Sequence, residues 1–222
     1  MNPVDLRLYG IVDPQWVRGR NLVEVALASV QGGCTLLQYR DKLADTRTMV
    51  DRARALKSAL AGTGVSLLVN DRVDVALAAG ADGVHVGQED MHPADARRLL
   101  GPDAIIGVTI TTGAHADELY RLQVDYACIG CVFATNSKNS PSPPIGLEGL
   151  AKLAFRARLA APGTPVGAIS GIDHGNAASV IGAGAEGIAV ISAIFMAEDV
   201  AGAARRLRTV VDQALASRGA TS

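Results

Sequence analysis

The octapeptide Ala79-Gly80-Ala81-Asp82-Gly83-Val84-His85-Val86 recurs about half a chain later as Ala183-Gly184-Ala185-Glu186-Gly187-Ile188-Ala189-Val190. Both copies share one grammar. A helical stretch stops at glycine, where a left-handed residue ends a helix, and after a small residue and an acid a short apolar run begins. A grammar repeated at half-length describes two like halves. In a ring of eight strands it sets the fourth opposite the eighth.

The same alternation runs in both directions from these two segments. Strand-like runs occupy Leu8–Val12, Cys34–Tyr39, Ser66–Asn70, Gly83–Val86, Ala104–Thr109, Asp125–Gly130, Pro165–Ile169 and Gly187–Ile191. Helical spacing occupies Leu22–Gln31, Thr46–Leu60, Val73–Ala79, Ala94–Leu100, Ala114–Leu122, Leu147–Leu159, Asn176–Ala183 and Val200–Ala216. Several strands are continuously apolar, as parallel strands covered on both faces must be. Eight units of ~28 residues make a compact (β/α)8 TIM barrel. A doubly wound α/β sheet is the competitor, but it usually has fewer strands, and no G-x-G-x-x-G follows the first strand. No long Pro/Ser-rich linker divides the chain, so residues 1–222 read as a single barrel domain.

Composition narrows the function. The 222 residues carry 21 basic and 22 acidic side chains, a net charge of -1, which lacks the basic surplus of a nucleic-acid module. Hydrophobic residues make up 49%, enough for a sizeable core. Mean hydropathy is +0.22, yet no run of apolar residues is long enough to span a membrane. The first residues lack the pattern of a secretory signal, and three cysteines cannot form a closed disulfide framework, so the expectation is a cytoplasmic enzyme.

In such a barrel the chemistry sits at the C-terminal strand ends. Strand one ends at Asp13, strand two at Gln38-Tyr39-Arg40-Asp41-Lys42, and strand three at Asn70-Asp71. Strand four runs into Asp90 and strand five ends at Thr109. Strand six leads to Thr135-Asn136-Ser137-Lys138, strand seven to Ser170-Gly171, and strand eight to Ile191-Ser192. Gln38, Arg40 and Lys42 alternate at period two and so share a side. An arginine fork and a mobile lysine suit phosphate oxygens; a solvated basic rim is the plainer alternative. Asp71 and Asp90 end neighbouring strands, where two carboxylates with phosphate oxygens and waters would suit Mg2+, whereas helix capping would also explain them. Cys128-Ile129-Gly130-Cys131 has redox spacing but lacks further ligands. His85 reads as a satisfied barrel histidine.

Taken together these residues resemble the thiamine-phosphate synthase family over nearly the whole chain. The family's Q-x-R-x-K appears as Gln38 to Lys42, its N-D as Asn70-Asp71, and its long A-x-G-A-D-G-V-H-x-G-Q-x-D motif as Ala78 to Asp90. The pattern F-x-T-x-[ST]-K appears as Phe133 to Lys138, and the last elements as Ile169-Ser170-Gly171-Ile172 and Val190-Ile191-Ser192. Thr109 stands where serine is usual, Thr111 where histidine is frequent, Cys131 and Ala134 where prolines are, and Ser170 where glycine is.

The resemblance implies a Mg2+-dependent transferase. It would join 4-amino-2-methyl-5-hydroxymethylpyrimidine diphosphate to the carboxylated thiazole phosphate or its decarboxylated form, giving thiamine phosphate and releasing pyrophosphate. Gln38, Arg40, Lys42, Asn70, Thr109 and Lys138 would hold the pyrimidine diphosphate, with Arg40, Lys42 and Lys138 drawing on the leaving group; Tyr39 and Asp41 would be among the substrate-binding residues. Asp71 and Asp90 would hold the metal. Thr135, Asn136, Ser137, Gly171, Ile191 and Ser192 would hold the thiazole phosphate. A thiazole tautomerase of the same superfamily and a non-catalytic phosphate-ligand sensor are the alternatives. The partners implied are small molecules, with no nucleic acid or membrane; a homo-oligomer is compatible.

Overall fold

The computed structural model describes residues 4–135, 137 and 143–220. Eight parallel strands close into a barrel in sequence order: β1 Leu8–Val12, β2 Leu36–Tyr39, β3 Ser66–Asn70, β4 Gly83–Val86, β5 Ile105–Ile110, β6 Tyr126–Ile129, β7 Val166–Ile169 and β8 Gly187–Val190. The ring shuts where Leu8 of β1 pairs with Ile188 of β8. Around it lie α1 Leu22–Gln31, α2 Thr46–Ala59, α3 Val73–Ala79, α4 Pro93–Leu100, α5 Gly113–Asp117, α6 Gly146–Ala160, α7 Ala177–Gly182, α8 Ser192–Phe195 and α9 Val200–Gly219. The four-residue α8 is absent from the sequence expectation because it is too short to show a helical period. The expected fifth helix stops early, and a 3-10 turn takes over at Glu118–Arg121.

Alternation along each strand sorts the side chains into two cores. Leu8, Val12, Leu37 and Tyr39 face the helices, in one large cluster with Leu56, Val84, Ile106 and Leu207. Tyr9, Ile11, Leu36, Leu68, Tyr126, Cys128 and Ala189 fill the barrel itself. Each aliphatic side chain buried this way contributes about 1.5–3 kcal/mol. The period that sends Leu36 inward also sends Gln38 inward, and it sends Tyr39 towards α2.

The repeated octapeptide has a physical meaning. Every even-numbered strand begins with a two-point clasp on the strand before it. The Asp82 N–H donates to the Leu67 carbonyl (2.9 Å), and the Leu67 N–H donates back to the Asp82 carboxylate (2.8 Å). Glu186 does the same with Val166, Asp125 with Ile106, and Thr35, through its hydroxyl, with Leu8. Lys57 and Arg97 reach in from α2 and α4 to pair with Asp82 and Asp125. Beside two of the clasps no side chain fits: a Cβ on Gly83 would lie 1.9 Å from the Ile105 carbonyl oxygen, and one on Gly187 1.7 Å from that of Leu6. The strand starts are thus given to structure, which leaves the opposite ends for chemistry.

Candidate active site

At the C-terminal ends the polar side chains are held by one another. Arg40 continues β2 inward, is only 11% exposed, and forms an ion pair with the fully buried Asp13 at the end of β1. Asp13 also caps the short 3-10 turn Pro14–Trp16 by accepting from the Gln15 N–H at 2.9 Å. Lys42 pairs with Asp71, and half of its side chain remains exposed. Both cations are therefore held in place before any anion arrives, one buried and one accessible.

Asp71 and Asp90 do not cap helices. The α3 cap position is Arg72, which makes no side-chain cap bond, and α4 is capped by His92 with Pro93 behind it. The Asp90 carboxylate instead accepts from the Gly87 N–H at 2.7 Å. Burial pushes the Asp90 carboxyl above the ordinary value, and the neighbouring Asp71 carboxylate adds to that, against the Gly87 amide and the Lys42 ammonium. Asp71 holds a left-handed backbone (φ 61°) at a cost of roughly 1 kcal/mol, with its N–H fixed to the His85 carbonyl (2.8 Å). Two neighbouring carboxylates, one of them raised by burial and by the other, suit a divalent cation. Among the described residues no group of three or more acidic, His or Cys side chains gathers around one point, so an ion here would keep waters and ligand oxygens, as Mg2+ does.

Tyr39 and Asp41 turn away from this mouth. The Tyr39 hydroxyl and Arg52 of α2 donate to the Asp41 carboxylate (3.0 and 2.6 Å), which also accepts from the Leu43 and Ala44 N–H groups. Burial works against the charge on Asp41, but these four donors outweigh it and hold the carboxyl below the usual range. That anchor fixes the loop carrying Arg40 and Lys42.

Gln38 and Thr109 belong to a buried polar chain through the barrel. The Gln38 Nε2 donates to the Tyr9 hydroxyl, and Tyr9 and Tyr126 share a 2.8 Å hydrogen bond. His85 Nδ1 lies 2.7 Å from the Tyr126 hydroxyl, and its Nε2 lies 2.7 Å from Thr109 Oγ1. Asn70 of β3 stands in register beside His85. Sequence reading left Asp13, Tyr9 and Tyr126 without a role; Asp13 had a usable signal as the acid ending β1.

On the other side of the mouth, Thr135 Oγ1 accepts from the Ser137 N–H at 3.2 Å, while Asn136 and Lys138 lie outside the described residues. Gly171 (φ 65°) sits so close to the β6 loop that a Cβ would meet the Ala134 carbonyl oxygen at 2.4 Å. Ile191 and Ser192 open α8 directly after β8. Cys128 lies in the barrel, where burial pushes its thiol up to about 12, which suits an inert core residue. A concavity of about 500 Å3 lies at the opposite, strand-start end, lined by Arg97, Pro102 and Asp125 among others, and Arg97 there is already occupied by Asp125 and the Ala104 carbonyl.

Fold and site together define a (β/α)8-barrel enzyme whose strand ends suit phosphorylated small molecules. A sequence model of the family described as thiamine monophosphate synthase matches residues 8–194. The chain is 50% identical over 218 residues to the thiamine-phosphate synthase of Agrobacterium fabrum, covering 98% of this chain and 99% of that one. It is 48% identical to that of Chloroflexus aurantiacus, covering 94% of each. Its structure resembles the thiamine phosphate pyrophosphorylase of Pyrococcus furiosus with a TM-score of 0.83 and 38% identity, covering 96% and 98% of the two chains. A 3-hexulose-6-phosphate synthase shares the fold at a TM-score of 0.65 and 18% identity, covering 92% and 99%. The chain belongs to the thiamine monophosphate synthase family.

Proposed function

We propose that this protein joins the aminopyrimidine diphosphate to a thiazole phosphate, giving thiamine phosphate and pyrophosphate, with Mg2+ bound between Asp71 and Asp90. The observation that carries the reading is the grouping of Lys42, Asp71 and Asp90 at adjacent strand ends, with neither aspartate used as a cap. A tautomerase would need an acid/base residue but neither a diphosphate grip nor a carboxylate pair.

The chain's own residues supply grip and alignment. Arg40, fixed by Asp13, presents a preorganised cation, and Lys42 can exchange Asp71 for a diphosphate oxygen. Lys138 joins them on the strength of the family pattern. The bond from the pyrimidine methylene carbon to the diphosphate oxygen breaks, its electrons leave with pyrophosphate, and the thiazole nitrogen forms the new bond to that carbon. The nitrogen carries no proton, so no base is needed. Thr135, Ser137 and the Gly171 and Ile191–Ser192 turns would hold the second phosphate and align that nitrogen. Mg2+, when bound, supplies charge neutralisation for the diphosphate.

The proposal extends to one domain acting in the cytoplasm. Three cysteines without a disulfide among the described residues, and no helix long and apolar enough to cross a membrane, agree with it. The test is formation of thiamine phosphate from the two purified half-substrates with and without Mg2+. Product only with the metal supports the proposal; none under either condition rejects it.

A further inference from the structure

The polar chain inside the barrel has a direction. Tyr9 and Tyr126 are buried, and burial raises both well above the ordinary phenol value, so each hydroxyl holds one proton to give. The Gln38 Nε2 is a donor only, so the Tyr9 oxygen accepts from it and the Tyr9 proton must go to Tyr126. The Tyr126 proton must then go to His85 Nδ1, which leaves the ring proton on Nε2. That nitrogen donates to Thr109 Oγ1, so the Thr109 proton is turned away from the histidine, at the partly open end of β5. The fold makes room for this path, because a Cβ on Gly107 would lie 2.1 Å from the Tyr126 ring.

We infer that Tyr9, Tyr126 and His85 are positioning residues: they carry the orientation of the Gln38 amide to Thr109 and present its hydroxyl as a donor to a lone pair on the substrate. The inference rests on the reading that Thr109 meets the pyrimidine. It specifies the complementary atom as an unprotonated ring nitrogen rather than an amino group. Reversing the Gln38 amide would reverse every bond and turn Thr109 into an acceptor. The barrel interior thus sets specificity from beneath the site.

Two measurements test it. In protein labelled with 15N-histidine, the His85 signals, assigned by their loss in His85→Asn, are expected to show the ring protonated on Nε2. A ring protonated on Nδ1 overturns the inference whatever the enzyme's activity. In kinetics, Tyr126→Phe is expected to raise KM for the pyrimidine diphosphate roughly tenfold and leave that for the thiazole phosphate unchanged. In a Thr109→Val background the same change is expected to add less than twofold. Equal rises for both substrates, or additive effects of the two substitutions, would mean that the tyrosine only supports the fold. An unchanged KM in Thr109→Val removes Thr109 from the substrate and the inference with it, even with the expected tautomer. Should Tyr126→Phe fail to fold, Tyr9→Phe breaks the same chain one link earlier.

Discussion

The backbone N–H of Cys131 donates to the hydroxyl of Ser170 at 3.2 Å, joining the ends of β6 and β7, and both residues have positive φ, 58° and 94°. Neither is glycine, so each carries a Cβ where the backbone disfavours one. The Ser170 carbonyl also accepts from the Phe133 N–H, so the two turns are held at two points.

Substituting Ser170 separates strain from contact. Ser170→Ala keeps the strained Cβ and loses the acceptor, so it should cost roughly 1–2 kcal/mol. Ser170→Gly loses the same acceptor but relieves the backbone, and should stay within about 1 kcal/mol of the parent. Denaturant unfolding checks this; an alanine variant as stable as the parent would show that the hydroxyl contributes nothing.

Gly171→Val places a branched side chain against the Ala134 carbonyl and Phe133. The β6 loop must move, and Thr135 and Ser137 move with it. The expected result is a KM for thiazole phosphate raised by about tenfold or more, with a smaller change for the pyrimidine diphosphate. Equal changes in steady-state kinetics would mean that the two substrate sites are misassigned.

Asp90→Ala and Asp71→Ala remove carboxylates that stabilise no helix end. Melting temperatures should therefore fall by only a few degrees, while Mg2+-dependent turnover drops on the order of 10²-fold. Calorimetric Mg2+ titration is expected to show weakened binding in both. Parent-like binding and turnover in either variant would remove that aspartate from the metal site.

Asp41 predicts a pH dependence of stability. Its carboxyl titrates lower in the folded protein than in the unfolded chain. Its contribution is therefore complete above the unfolded value of ~3.9 and fades as pH falls through the lower folded value. Asp41→Asn should be less stable than the parent at pH 7, and the gap should narrow progressively below about pH 4. A gap of constant size in unfolding experiments across that range would mean that the charge is not what the four donors hold.

Much of this was legible in the sequence, because strand and helix periods are local. β1, β3, β4, α1 and α3 have the bounds that alternation and glycine stops predict. The acids Asp82, Asp125 and Glu186 were visible at strand starts, but their clasps were not, since each needs the preceding strand as partner. Tyr9 and Tyr126 illustrate the limit. They meet across 117 positions, and each alone reads as an aromatic in an apolar run. Asp71 and Asp90 each precede a helix, so spacing alone could not separate capping from ligation; the cap positions, held by Arg72 and His92, rule out capping.

The seam between β1 and β8 bears on how the protein is made. Seven of the strand pairs join neighbours in the chain, but the eighth needs Leu8 beside Ile188 and the Leu6 carbonyl against Gly187. During synthesis β1 emerges before β8 and keeps one edge unpaired until β8 has left the ribosome. A waiting edge of apolar residues is a template for pairing with another nascent chain. Mutations at Gly187 should therefore lower the yield of folded protein in the cell more than its equilibrium stability suggests, since they delay the one step that hides that edge.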